Sequence, residues 1–202
     1  MSRLGPPLLH GGERRVWLLY ARAPPGPPPR RWRGLVGYGR LDVAARVLLA
    51  ALYPGGRLLG DSALLVFLDR SGGGEEGSVV GLHAGCLPGE MLYEREAAAL
   101  LLDALRGRGG CPVAEGLSLR GLLLSAGRAG FRRLLLSEDG GPLGPGLLDG
   151  RLLLLLGGAV DPPAEAGPVD ARVRVGCRSY LASSVAAYIN AVLLLEGSGG
   201  GR

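Results

Sequence analysis

The chain has 202 residues, 47% of them hydrophobic, with 37 Gly and 15 Pro, which excludes a disordered chain and bounds it to one large globular domain, or one domain with an elaboration, with loop-rich punctuation. Its formal charge is +5, and all 23 basic residues are Arg, a planar donor suited to phosphates; this permits a nucleic-acid partner without requiring one. No segment reaches the roughly 20 apolar residues of a membrane helix, and the first twelve residues, broken by Gly5-Pro-Pro7, lack a signal-peptide pattern. A soluble, cytoplasmic protein is expected, with no membrane association.

Residues 1–12 read as a loose tail. Arg15 to Tyr20 is a first strand, rich in β-formers. Ala23 to Gly34 follows, whose prolines predict an extended loop. Within it Arg30, Arg31 and Arg33 surround Trp32, a grouping able to hold phosphates and stack a base. Gly39 to Leu52 is a helix, with Leu41, Ala45, Leu48 and Leu52 at helical spacing, Asp42 in the first turn and Pro54-Gly-Gly as its stop.

Ser62 to Leu68 is a continuous apolar run, the pattern of a strand covered on both faces of a parallel sheet. A turn at 69–77 leads to a short strand, Ser78 to His83, expected at a sheet edge. Glu94 to Arg106 is a helix, and Gly107 to Gly110 a linker between halves. Strands then follow at Phe131 to Leu136, Leu152 to Leu156 and Ala171 to Val175, each delivering a small-residue or acidic loop. The last loop opens a helix at Ser179 with the small residues Ala182, Ser183 and Ser184. Ligands of open α/β sheets sit beyond the carboxyl ends of strands, so these three exits form the expected site.

Several chemistries lack their residues. No G-x-G-x-x-G follows the first strand, no Lys exists for a P-loop, and no G-x-S-x-G is present. Cys86, Cys111 and Cys177 are widely spaced and odd in number, which fits a reducing compartment and argues against a disulfide framework. His83-Ala-Gly-Cys86 is too small a set for zinc, and no metal is expected. Glu138 and Asp139 read as solvated residues of a polar turn.

Five segments occur in one order: Gly39-Arg-Leu-Asp-Val-Ala-Ala-Arg46, Leu92-Tyr-Glu-Arg-Glu-Ala-Ala-Ala-Leu100, Leu136-Ser-Glu-Asp-Gly140, Leu155-Leu-Gly157 and Gly176-Cys-Arg-Ser-Tyr-Leu-Ala-Ser183. Together they resemble the archaeal tRNA pseudouridine-54 N1-methyltransferases, the TrmY family of SPOUT methyltransferases. The resemblance covers most of Arg14 to Glu196. It implies an α/β fold, with a mostly parallel sheet, helices on both faces and a C-terminal trefoil knot. A single domain would span residues 13–196, with the knot in about 131–196 and a tail at 197–202.

The resemblance also implies that S-adenosylmethionine is held around Leu136, Gly157, Gly176, Leu181 and Val185. It implies a homodimer that methylates N1 of pseudouridine in the T-loop of tRNA. Asp42 is the candidate acceptor of the N1 proton, and Arg40 the candidate stabiliser of charge on the base. Arg30, Arg31, Trp32 and Arg33 are candidate RNA contacts. The chain departs from the family at Gly158 and Ala159, where an acidic residue and a His are usual, and at Val185, where Cys is usual. Two alternatives stay open: a ribosomal-RNA pseudouridine N1-methyltransferase, and a non-catalytic RNA-binding relative.

Overall fold

The computed structural model describes residues 8–24, 26–91, 93–144, 146–176 and 180–199, with side chains to Leu195 in the last helix. Seven strands form one sheet: β1 (Arg15–Arg22), β2 (Ser62–Asp69), β3 (Gly77–His83), β4 (Val113–Leu117), β5 (Arg132–Pro142), β6 (Leu152–Gly157) and β7 (Ala171–Arg174). Four helices cover it: α1 (Asp42–Leu52), α2 (Glu94–Leu105), α3 (Leu119–Arg128) and α4 (Ala182–Gly199). The Pro/Arg segment ends in a short 3-10 turn, Trp32–Leu35.

The strand order is β4-β3-β2-β1-β6-β5-β7. β1 is central and parallel to both neighbours, with Leu18 opposite Leu65 of β2 and Leu155 of β6. β5 is parallel to β6 and β7, whereas β3 runs antiparallel to β2 and β4. Alternate side chains of β1 enter two cores. Trp17, Leu19 and Ala21 pack with residues of α1, α2 and α4 on one face. Val16, Leu18 and Tyr20 pack with Leu119, Leu122 and Leu123 of α3 on the other. Coverage on both faces explains why β2 is buried along its full length and reads as an unbroken apolar run.

Several expectations are corrected. β3 is internal, because β4 pairs outside it. β4 and α3 escaped the sequence reading, although Ser118 caps α3 by accepting the Gly121 N–H at 3.1 Å. Gly107 to Gly110 divides nothing, since one sheet includes strands from both sides of it. Leu8 and Leu9 of the expected tail are buried in the α3-side core, and α4 continues through Gly199. Cys177, Arg178 and Ser179 lie outside the described residues, as does the expected Ser179 helix start.

Cys86 and Cys111 form a disulfide, which corrects the all-thiol reading. Cys86 follows β3 and Cys111 precedes β4, and antiparallel pairing brings those two ends together. The bond closes a loop of sequence separation 25. In the chain-entropy model such a loop stabilises the fold by about 3.5 kcal/mol. Dithiothreitol should therefore lower the melting temperature by about 7 to 14 °C. Superimposable melts with and without reductant would show that the cross-link does not contribute.

Candidate active site

A cleft of about 590 Å³ opens beyond the carboxyl ends of β5, β6 and β7. Its first wall is an expansion of β5. Leu136 and Gly141 both pair with Val173 of β7, so residues 137–140 bulge out of the ladder. Gly140 lies flat on β7, where an added Cβ would come 2.6 Å from the Val173 backbone. Ser137, Glu138 and Asp139 consequently face the cleft instead of forming a plain solvated turn.

The second wall follows β6. A Cβ on Gly157 would lie 2.6 Å from the Val160 carbonyl oxygen and 2.9 Å from Asp161 Oδ1, so only a bare backbone allows this turn. Gly158 donates its N–H to the Tyr20 carbonyl at 2.9 Å, and its added Cβ would sit 3.1 Å from the same oxygen. That contact favours Gly where the resembled family carries an acidic residue. The third wall is the exit of β7 and the start of α4, with Tyr180, Leu181 and Val185.

Four of the five expected cofactor residues, Leu136, Gly157, Leu181 and Val185, thus border one cavity. Gly176 supports it from behind: its added Cβ would lie 2.7 Å from the ring of Tyr180, which does line the cleft. Val43, Asp161, Arg174 and Tyr180 also contribute and were missed. Tyr180 stands within a quoted motif; Asp161 and Arg174 flank strand exits but carry no periodic signal.

The start of α1 reaches the rim through Val43. Just before it Gly39 and Arg40 adopt φ of 63° and 57°, and Arg40 has the single positive φ among the described non-Gly residues. A left-handed Arg is disfavoured by about 1–2 kcal/mol. Asp42 compensates: it accepts from Arg40 Nε at 3.0 Å and Nη2 at 3.3 Å, and from Arg46 Nη2. Arg46 also faces Glu94 of α2 at 3.7 Å. Burial raises the Asp42 pKa, but the hydrogen bonds and charges of Arg40 and Arg46 outweigh it and hold the carboxyl below its usual range. The Arg40 side chain remains 53% exposed, so its outer edge is open to a ligand.

A second cluster stands at the same end of the sheet. Asp69, fully buried, accepts from Tyr20 Oη at 2.5 Å, Ser71 Oγ at 2.8 Å, and the N–H groups of Ser71 and Gly74 at 3.0 Å each. Burial raises its pKa, yet these donors bring the net below the usual carboxylate value; burial together with Asp69 pushes Tyr20 upward. Asp170, beside Arg133, is lowered too. A depressed carboxylate stabilises the fold above its unfolded pKa and loses that contribution as pH falls through the folded value. The melting temperature should therefore lose nothing from these three groups between about pH 5 and 7, and fall below about pH 4. A flat acid limb would contradict these assignments.

Arg30, Arg31, Trp32 and Arg33 are not at the cleft; they gather in a separate groove against α2. Among the described residues there is no group of three His, Cys, Asp or Glu able to hold a metal, and no helix long and apolar enough to cross a membrane.

No protein-family model matches the chain, and no curated protein matches its sequence. Among solved structures it is similar to Nep1 of Archaeoglobus fulgidus, crystallised bound to S-adenosylhomocysteine. The TM-score is 0.54 at 19% identity, over 92% of this chain and 97% of that one. The match is one of architecture. The chain shares the fold of that protein, a mostly parallel sheet with helices on both faces, as the sequence resemblance implied.

Proposed function

We propose that this protein is an S-adenosylmethionine-dependent methyltransferase acting on N1 of pseudouridine, at position 54 in the T-loop of tRNA. The observation that carries this reading is the cleft at the three strand exits, in a chain whose fold is shared with an S-adenosylhomocysteine-bound protein. The cleft suits such a cofactor. Its volume, about 590 Å³, lies in the usual range for small-molecule sites. Gly157 lines it at a turn where Val160 and Asp161 close in so tightly that a Cβ would not fit. Leu136, Gly157, Leu181 and Val185 would hold the cofactor, with Gly176 supporting Tyr180. The passes from β5 to α4 would form a trefoil knot.

When bound, the cofactor supplies an electrophilic methyl on a sulfonium. The chain's part is to prepare N1. Pseudouridine has a free N1–H, which must be lost as N1 attacks. Arg40, partly exposed, turns toward a uracil carbonyl and stabilises the negative charge on the ring. Its departure from Asp42 removes one of the two cations that depress the carboxyl, so Asp42 becomes a better base as substrate arrives. Asp42 then takes the N1 proton. Arg30, Arg31 and Arg33 contribute RNA contacts away from the reacting base, with Trp32 packed beneath Arg33.

The protein would act as a homodimer, with α4 at the interface; Tyr188 and Leu195, 50% and 74% exposed, give that helix an apolar outer face. Calorimetry with S-adenosylmethionine separates the enzyme from a non-catalytic RNA-binding relative, which would bind no cofactor. Labelled methyl transfer to defined RNAs separates tRNA from a ribosomal-RNA hairpin carrying pseudouridine. Incorporation into the hairpin and not the tRNA would move the assignment to the ribosomal enzyme.

A further inference from the structure

The groove that holds the Pro/Arg segment shares no residue with the cleft and measures about 560 Å³. Its two sides come from distant parts of the chain. Arg30, Arg31, Trp32 and Arg33 supply one, and Arg95 and Arg106 of the α2 region supply the other. Five guanidiniums face the single carboxylate of Asp103. Six arginines outside the groove form ion pairs among the described residues, including Arg46 with Glu94, Arg70 with Glu115 and Arg133 with Asp170. Arg30, Arg31, Arg33 and Arg95 enter no ion pair among the described residues. Concentrating like charges without counter-charges is unfavourable in the free protein, and an anionic ligand relieves it.

The groove is built in advance of any ligand. Arg106 donates to the Pro29 carbonyl, and Tyr38 Oη donates to the Gly26 carbonyl at 2.9 Å. The segment folds back so closely that an added Cβ on Gly34 would lie 2.6 Å from Pro29 Cβ. Prolines fix φ along the same stretch. The backbone that carries Arg30, Arg31 and Arg33 is therefore ordered before any ligand binds. Trp32 is half-buried against the core and has the Arg33 guanidinium over its ring at 5.5 Å. Its face is occupied, so Trp32 holds Arg33 in place instead of offering an open platform for a base.

We propose that this groove is a phosphate clamp for RNA: Arg30, Arg31, Arg33 and Arg95 grip the sugar–phosphate backbone of the substrate away from the methylated base, without reading sequence. This rests on the RNA-methyltransferase reading and adds to it a second contact surface that includes α2. The groove is tied to the cleft rim. Glu94, beside Arg95, faces Arg46, and Arg46 binds Asp42. RNA held in the clamp thus meets a cleft whose position relative to α2 is fixed.

The test is tRNA binding by fluorescence anisotropy across a salt series, with R95Q and the double variant R31Q/R33Q. Loss of a phosphate contact reduces affinity for every sequence and lowers the slope of log affinity against log salt by about 1. R95Q should bind about three- to tenfold more weakly near 0.1 M salt with a slope lower by about 1, and R31Q/R33Q should lower it by about 2. An unrelated tRNA lacking pseudouridine should suffer the same losses. S-adenosylmethionine calorimetry and circular dichroism on each variant check that it is folded.

Wild-type affinity and slope in both variants would overturn the clamp, as would losses confined to one RNA sequence, which would indicate base readout. If the substitutions weaken polyglutamate binding and leave tRNA untouched, the groove serves an acidic protein and the proposal fails. The two readings fail separately. Methyl transfer with no groove effect removes the clamp alone, whereas groove-dependent tRNA binding without methyl transfer removes the enzyme alone.

Discussion

Gly157→Ala is expected to weaken S-adenosylmethionine binding by about 5- to 150-fold. The added Cβ would stand 2.6 Å from the Val160 carbonyl oxygen, 2.9 Å from Asp161 Oδ1 and 3.0 Å from Asp161 Cα. Two of those three atoms are backbone, so a side-chain rotation does not relieve the contact. The 160–161 backbone must move, and Val160 and Asp161 both line the cleft. Overpacking of this kind raises the free energy by about 1–3 kcal/mol, which gives the stated range when the displaced wall is the binding surface. Gly60→Ala is the control: its added Cβ meets nothing within 4 Å, and cofactor affinity should stay at the wild-type value. Calorimetry measures both. Wild-type affinity in Gly157→Ala would remove this turn from the proposed cofactor site.

Asp42→Asn is expected to slow methyl transfer by about 10²- to 10⁴-fold, the usual contribution of a positioned proton acceptor, with cofactor affinity retained. Two effects are combined in that loss. Asn cannot take the proton, and it also removes the anion that holds Arg40 in its left-handed conformation. Arg40→Gly separates them, because Gly keeps the positive φ without strain and deletes only the guanidinium. If Asp42 acts solely by positioning Arg40, the double variant R40G/D42N will transfer no more slowly than R40G. The proton-acceptor role predicts a further loss. Single-turnover transfer at saturating cofactor reads the difference, and undiminished transfer in Asp42→Asn would remove the residue from the chemistry.

Strands and helices with strong local patterns were legible. β2 and β6 announced themselves as apolar runs because both their faces are covered. α1 and α2 showed helical spacing because each buries one side. β4 did not, since Val113, Glu115 and Gly116 are exposed at the sheet edge and leave no apolar alternation to read. The misplacement of β3 at an edge followed from missing its partner. The disulfide was illegible for a related reason: it depends on the pairing of β3 with β4, not on Cys spacing.

For the candidate site, the three strand exits pointed to the end of the sheet where the cleft opens. Glu138 and Asp139 looked like residues of an ordinary polar turn because the bulge depends on the register of β5 against β7, which no local sequence encodes. Arg95 lay hidden between Glu94 and Glu96 in an apparently acidic helix start; only the packing of α2 beside the Pro/Arg segment turns it toward Arg31 and Arg33. Trp32 looks like a base platform from its sequence neighbours, but its ring is half-buried with Arg33 over it, an arrangement set by packing and not by adjacent residues.

The most direct test is transfer of a labelled methyl from S-adenosylmethionine to two tRNAs identical except for pseudouridine or uridine at position 54, followed by mass spectrometry of the released nucleosides. A pseudouridine N1-methyltransferase yields N1-methylpseudouridine from the first tRNA and no methylated nucleoside from the second. Equal transfer to both, or no transfer to the pseudouridine tRNA by protein that binds the cofactor, would contradict that assignment.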